Sequence, residues 1–103
     1  MSLSDVLKTG ETVTFEIRTQ NNTNAKVLTA FDGTDLVVTT CESVPSLAGI
    51  KSNKPGLILY KFMDELKTAG LITNTFKIAP WKLCFVERDN TRYTLEELRT
   101  ITH

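Results

Sequence analysis

Between residues 11 and 40 the chain alternates. Val13, Phe15 and Ile17 fall on one side of an extended backbone and Thr12, Thr14, Glu16 and Arg18 on the other, the pattern of a strand with one buried and one wet face. Two turn clusters, residues 20–24 and 32–35, cut the stretch into three segments rich in Val, Ile, Phe and Thr, which predicts a meander of three antiparallel strands. Asn tolerates left-handed backbone and Asp32-Gly33 is a strong tight-turn signal, so both connections are expected to be hairpins.

Upstream, Leu3, Val6 and Leu7 make a small apolar stripe, Ser2 or Ser4 can cap it, and Gly10 offers a left-handed ending. The stripe predicts a short N-terminal helix that must lie on the sheet, since two turns are not stable alone in water. After Thr40 the period breaks. Residues 41–55 hold two prolines, a glycine and several small polar residues, which reads as a long excursion without regular structure. Gly49 and Lys51 stand in it, yet the glycine spacing of a phosphate-binding loop is missing and a solvated loop is the plainer reading. Leu59, Phe62, Met63 and Leu66 then recur at helical spacing behind Pro55, with Asn53 or Ser52 as the expected cap and Gly70 beyond the end, so a helix is predicted over 55–69. Its stripe, widened by Ile58 and Tyr60, is expected to join the core. Residues 73–79 and 81–87 read as strands broken by Pro80, with Trp81, Leu83 and Phe85 alternating against Lys82, Cys84 and Val86. Residues 88–91 read as a turn, and Thr94 to Glu97 has capping-box spacing for one helical turn.

The chain has 103 residues, of which 41% are hydrophobic and 23% charged, as expected of one ordered globular domain for which oligomerisation would be a natural supplement. Lys plus Arg and Asp plus Glu are equal at 12 each, so the whole-chain field gives no reason to expect a polyanion partner. No long apolar run or signal-peptide pattern occurs, so the chain is expected to stay in a cytoplasm, that of a host if it is viral, and away from membranes. Cys41 and Cys84 fit neither a disulfide framework nor a zinc site and are expected to be reduced core thiols. The single His is residue 103, a poor place for a positioned base, and Asp64-Glu65 and Glu96-Glu97 are helix neighbours that point apart. A protein without catalysis, metal or cofactor is expected.

The order of helix, strand, polar turn, strand, Phe-Asp-Gly turn and strand, with Leu28, Phe31 and Asp32 followed by Leu36, Val37 and Val38, resembles the first half of an Sm-like domain of the Sm, LSm and Hfq superfamily. Lys26 stands where that family usually has a Gly that lets the second strand bend, and Asp35 near where many members carry Asn. The resemblance implies a mainly β fold with α, a small strongly bent antiparallel β-barrel with an N-terminal helix across its open end and an inserted helix at about 55–69. Residues 1–103 would then be one domain: 1–40 the helix and first three strands, 41–72 the insertion, 73–103 the last strands, with 99–102 a final strand pairing with a neighbouring subunit. It also implies a homo-oligomeric ring that binds RNA or single-stranded DNA at a central pore. The turn residues Gly33, Thr34 and Asp35, and Arg92 as the nearest basic residue of the second loop, would make the contacts. Repetition of one weak contact around a ring would let a chain of no net charge bind RNA. The competing reading is an α+β protein-interaction or structural domain, in which helix 55–69 covers an open antiparallel sheet and no nucleic acid takes part.

Overall fold

The computed structural model describes residues 3–75, 77 and 79–102, with the side chain of Thr102 left out. Among the described residues six strands form one antiparallel sheet: β1 (Thr12–Arg18), β2 (Asn24–Phe31), β3 (Leu36–Cys41), β4 (Lys51–Ser52), β5 (Cys84–Arg88) and β6 (Thr91–Thr94). Their spatial order is β4-β3-β2-β1-β5-β6. The sheet has two ends and does not close into a barrel. The helices α1 (Pro55–Thr68) and α2 (Leu95–Thr102) accompany it.

The meander expected from the alternation is there. β1 and β2 pair from Thr12↔Ala30 to Arg18↔Asn24, and Val13, Phe15, Ile17, Ala25, Val27, Thr29 and Phe31 are all buried. Asn22 in the first connection has φ 61° and Gly33 in the second has φ 103°, the left-handed backbone those turns require. Between β2 and β3 the register shifts, so that Leu28 faces Thr40 while Thr29 faces Val38. Thr39 is therefore an extra residue in β3, a bulge, and its hydroxyl donates to the Leu28 carbonyl at 3.1 Å. The insertion has a consequence for the core. Strict alternation after Leu36 and Val38 would turn Cys41 outward, but one added residue resets the phase and Cys41 is buried.

The N-terminal segment is one 3-10 turn, Leu3–Asp5, rather than a helix. Leu3, Val6 and Leu7 are buried as their stripe implies, and the Gly10 N–H donates to the Phe31 carbonyl at 2.7 Å, which docks the turn against β2. The expected excursion 41–55 is more ordered than its composition suggests. Residues 45–47 make a 3-10 turn and Lys51–Ser52 form β4 against β3. The Gly49 N–H donating to the Val38 carbonyl and the Val38 N–H donating to the Ile50 carbonyl, both at 2.8 Å, hold the loop back on the sheet.

Helix α1 starts at Pro55, which lacks the N–H a first-turn residue would leave unpaired. Neither Asn53 nor Ser52 caps it: Lys54 holds that position without a side-chain bond, and the Ser52 hydroxyl accepts from the Lys54 N–H instead. Gly70, at φ 78°, follows its end, and the Leu71 N–H donates back to the Leu66 carbonyl at 2.9 Å. Ile58, Leu59, Phe62, Met63 and Leu66 are buried and belong to the same core cluster as the sheet's inner face. Leu57 and Tyr60 stay exposed.

The C-terminal third departs most from the sequence reading. Among the described residues of 73–79 there is no strand, and Phe76 and Ile78 lie outside the described residues, as do Ser2 and His103. The strand expected over 81–87 begins only at Cys84, because Pro80 opens a 3-10 turn over 80–82. Asp89 and Asn90, at φ 53° and 65°, form a two-residue hairpin turn that returns the chain as β6. The final strand expected at 99–102 is instead helix α2. Its start is a reciprocal capping box: the Glu97 N–H donates to the Thr94 hydroxyl and the Thr94 N–H to the Glu97 carboxylate, each at 3.0 Å. No helix among the described residues is long and apolar enough to cross a membrane.

Candidate functional site: a charged cleft on the outer sheet face

The alternation that buries one face of the sheet leaves the other to carry polar chemistry. On β1 that face is Thr12, Thr14, Glu16 and Arg18; across the β1–β2 ladder Glu16 lies directly opposite Lys26. On the other side β5 sets Phe85 opposite Thr14 and then, through its pairing with β6, brings Glu87 opposite Arg92. The outcome is a cleft of about 600 Å³ between β2 and β6, floored by Thr14, Leu28 and Phe85.

Glu16 is its centre. One carboxylate oxygen lies 2.5 Å from Arg92 Nη2 and 3.8 Å from Lys26 Nζ. The Arg92 guanidinium also stacks on Phe85, its central carbon 3.8 Å from the ring centroid, within the range where the ring face attracts a cation. The Glu16 side chain is only 17% exposed, against 45% for Arg92 and 54% for Lys26. An acidic group sits low in the cleft and two more exposed cations reach it from the rim.

At the end of the cleft nearest the N-terminal turn a second ion pair is fixed more firmly. Arg88 donates from Nε to Glu11 at 2.7 Å, from Nη2 to the other carboxylate oxygen, and from Nη2 to the Val6 carbonyl at 2.7 Å. The Glu11 carboxylate also accepts the Lys8 N–H at 2.7 Å. The Arg88 hydrogen bond is the chief reason that the Glu11 carboxyl titrates below the usual carboxylate range, and the same bond raises Arg88. This clamp ties the N-terminal turn to β5.

Gly33, Thr34 and Asp35 share one exposed turn between β2 and β3. Asp32 organises it, accepting the Thr34 and Asp35 N–H groups at 2.8 and 2.6 Å. Those two bonds, Asp35 first, hold the Asp32 carboxyl low. A side chain at Gly33 would meet the Thr9 hydroxyl at 3.2 Å besides being strained at its positive φ. Arg92 is elsewhere. It lies within β6 rather than in a turn, three to four strands away from Gly33 in the sheet order. One chain therefore brings the three turn residues together and does not bring Arg92 to them.

Glu16, Lys26 and Phe85 are not among the site residues that the sequence suggests. The outward phase of Glu16 was readable from the β1 alternation, and Lys26 follows once the hairpin register is known. Phe85 was not readable, because its strand offers apolar residues on both phases. Cys41 and Cys84 are free and buried, and burial pushes both thiols up from their ordinary value. Among the described residues no group of three His, Cys, Asp or Glu side chains is placed to hold a metal ion. No family model, curated protein or solved structure matches the chain.

Proposed function

We propose that this chain is a divergent Sm-like module that assembles with copies of itself into a ring and, without catalysis, binds RNA or other single-stranded nucleic acid in a cytoplasm. The observation that carries the reading is the order of elements over residues 3–41: helical turn, strand, polar loop, strand, Asp-pinned turn and apolar strand. The open ends of the sheet support it further. Among the described residues β4 and β6 each pair with a strand on one side only, which leaves two strand edges to which a neighbouring copy can add. In this reading the Thr39 bulge, rather than a glycine at position 26, supplies the bend that curls the sheet toward a barrel.

The nucleic-acid contact falls to Gly33, Thr34 and Asp35, repeated once per copy so that weak contacts add by linkage. For Arg92 to join them its guanidinium must leave Glu16 and Phe85. Light scattering tests the assembly, with a multimer expected and a monomer overturning it. Fluorescence anisotropy with oligo(U) and oligo(A) tests binding, which should weaken as salt rises because phosphate contacts release counterions. Asp35→Lys is expected to change oligonucleotide affinity in an intact assembly; unchanged affinity there removes the turn from the site.

A second reading has its own support. An α+β interaction domain in which α1 covers an open sheet accords with the two free sheet ends and with the balance of 12 basic against 12 acidic residues. Under it the chain is a monomer and does not bind either oligonucleotide at low salt.

A further inference from the structure

The cleft on the outer sheet face already holds a guanidinium, and it is the chain's own. We propose that this cleft is a receptor for a basic side chain, an arginine or lysine of a protein partner, and that Arg92 is the internal occupant which that side chain displaces.

Recognition of a cation needs a ring face to stack on and a carboxylate to pair with, and Phe85 and Glu16 supply both around one point: 3.8 Å from the ring centroid to the Arg92 central carbon, 2.5 Å from its Nη2 to Glu16. The low exposure of the Glu16 side chain, 17%, means its carboxylate is partly stripped of water and is better off with a cation beside it. Arg92 is the more exposed member of the pair. It stands on β6, the last strand of the sheet, with its side chain 45% exposed, so it can swing into water while the sheet stays paired. An incoming guanidinium then replaces like with like. Leu28 and Thr14 line the floor and can take the methylene stem of a long basic side chain.

The charges decide the class of ligand. The cleft is lined by Glu11, Glu16 and Glu87 against Lys26 and Arg92. Glu11 is already satisfied by Arg88. As it stands the cleft is balanced, Glu16 and Glu87 against Lys26 and Arg92; once Arg92 turns away, Lys26 alone offsets the two carboxylates, and in that state the cleft favours a basic side chain over a phosphate. The volume of about 600 Å³ suits one or two side chains rather than a groove-filling helix.

This inference does not depend on ring assembly or on the β2–β3 turn. It is tested by titrating the full chain with tri-arginine amide and, separately, with oligo(U), following backbone amide shifts by NMR for the wild type, Arg92→Ala and Glu16→Gln. Tri-arginine is expected to shift Thr14, Lys26 and Phe85. Removing the internal competitor in Arg92→Ala should tighten peptide binding by on the order of fivefold, and Glu16→Gln should weaken it by a similar factor. Peptide affinity that is unchanged or lower in Arg92→Ala overturns the proposal, as do shifts confined to other surfaces. So does an Arg92→Ala variant that loses oligo(U) affinity while peptide fails to bind the wild type, since that result makes the cleft a nucleic-acid surface. A monomer with the expected peptide signs leaves this site standing and removes only the ring.

Discussion

Thr29 shows how narrowly the core admits a polar group. Its side chain is fully buried among apolar neighbours, and its hydroxyl donates to the Val13 carbonyl across the β1–β2 ladder at 2.9 Å. Thr29→Val keeps the shape and removes that bond, so urea unfolding should show a loss of about 1 kcal/mol at unchanged m value. Glu11 acts through charge. Its folded carboxyl titrates lower than an unfolded Glu because Arg88 and the Lys8 N–H favour the ionised form. The resulting stability is fully present above the unfolded value of about pH 4.3 and is lost as pH falls through the lower folded value. Glu11→Gln should therefore be less stable at neutral pH and show a shallower loss in acid, which midpoints of urea unfolding across a pH series would reveal. An equal acid slope in both proteins would remove Glu11 from that role.

At the scale of elements, local signals served where each was self-contained. Pro55, the stripe of Leu59, Phe62, Met63 and Leu66, and Gly70 define α1 to within a residue of its observed end at Thr68, because start, face and stop all lie within one short window. The Thr94 to Glu97 box was likewise legible, but its reach was not. The short turn it implied continues through Thr102 as α2, since burial of Leu95 and Leu98 in the shared core extends what the cap begins. Thr94→Ala removes the hydroxyl that the Glu97 N–H meets. It should cost about 1 kcal/mol by thermal or urea unfolding. Strand β6 hides in the sequence for the opposite reason: its residues, Thr91, Arg92, Tyr93 and Thr94, have no apolar alternation and become a strand only by pairing with β5.

For the whole molecule the decisive fact is that one chain completes its own core. The buried residues of the N-terminal turn, the sheet, α1 and α2 form a single cluster, and the Cα radius of gyration is 13.2 Å, close to the roughly 13 Å expected of a compact domain of this length. Assembly, as proposed, therefore joins finished subunits at their edges and exchanges no segment. On dilution the mass by light scattering should fall toward the monomer while far-UV circular dichroism stays constant; loss of both together would mean that the core needs its neighbours.

What the amino-acid order determined alone is whatever a few adjacent residues can enforce: the alternation of β1, the Asn22 and Asp32-Gly33 turns, the proline-to-glycine span of α1 and the cap at Thr94. Tertiary structure decided the rest, because it depended on partners distant in the chain. Only the β1–β5 pairing brings Phe85 beside Thr14, and only β6 beyond it carries Arg92 to Glu16. The bulge at Thr39 that turns Cys41 inward exists by virtue of the β2 register, and the two free ends of the sheet follow from strand order. A residue's phase in its strand is local, but which strand lies beside it is settled by how the apolar faces share one core.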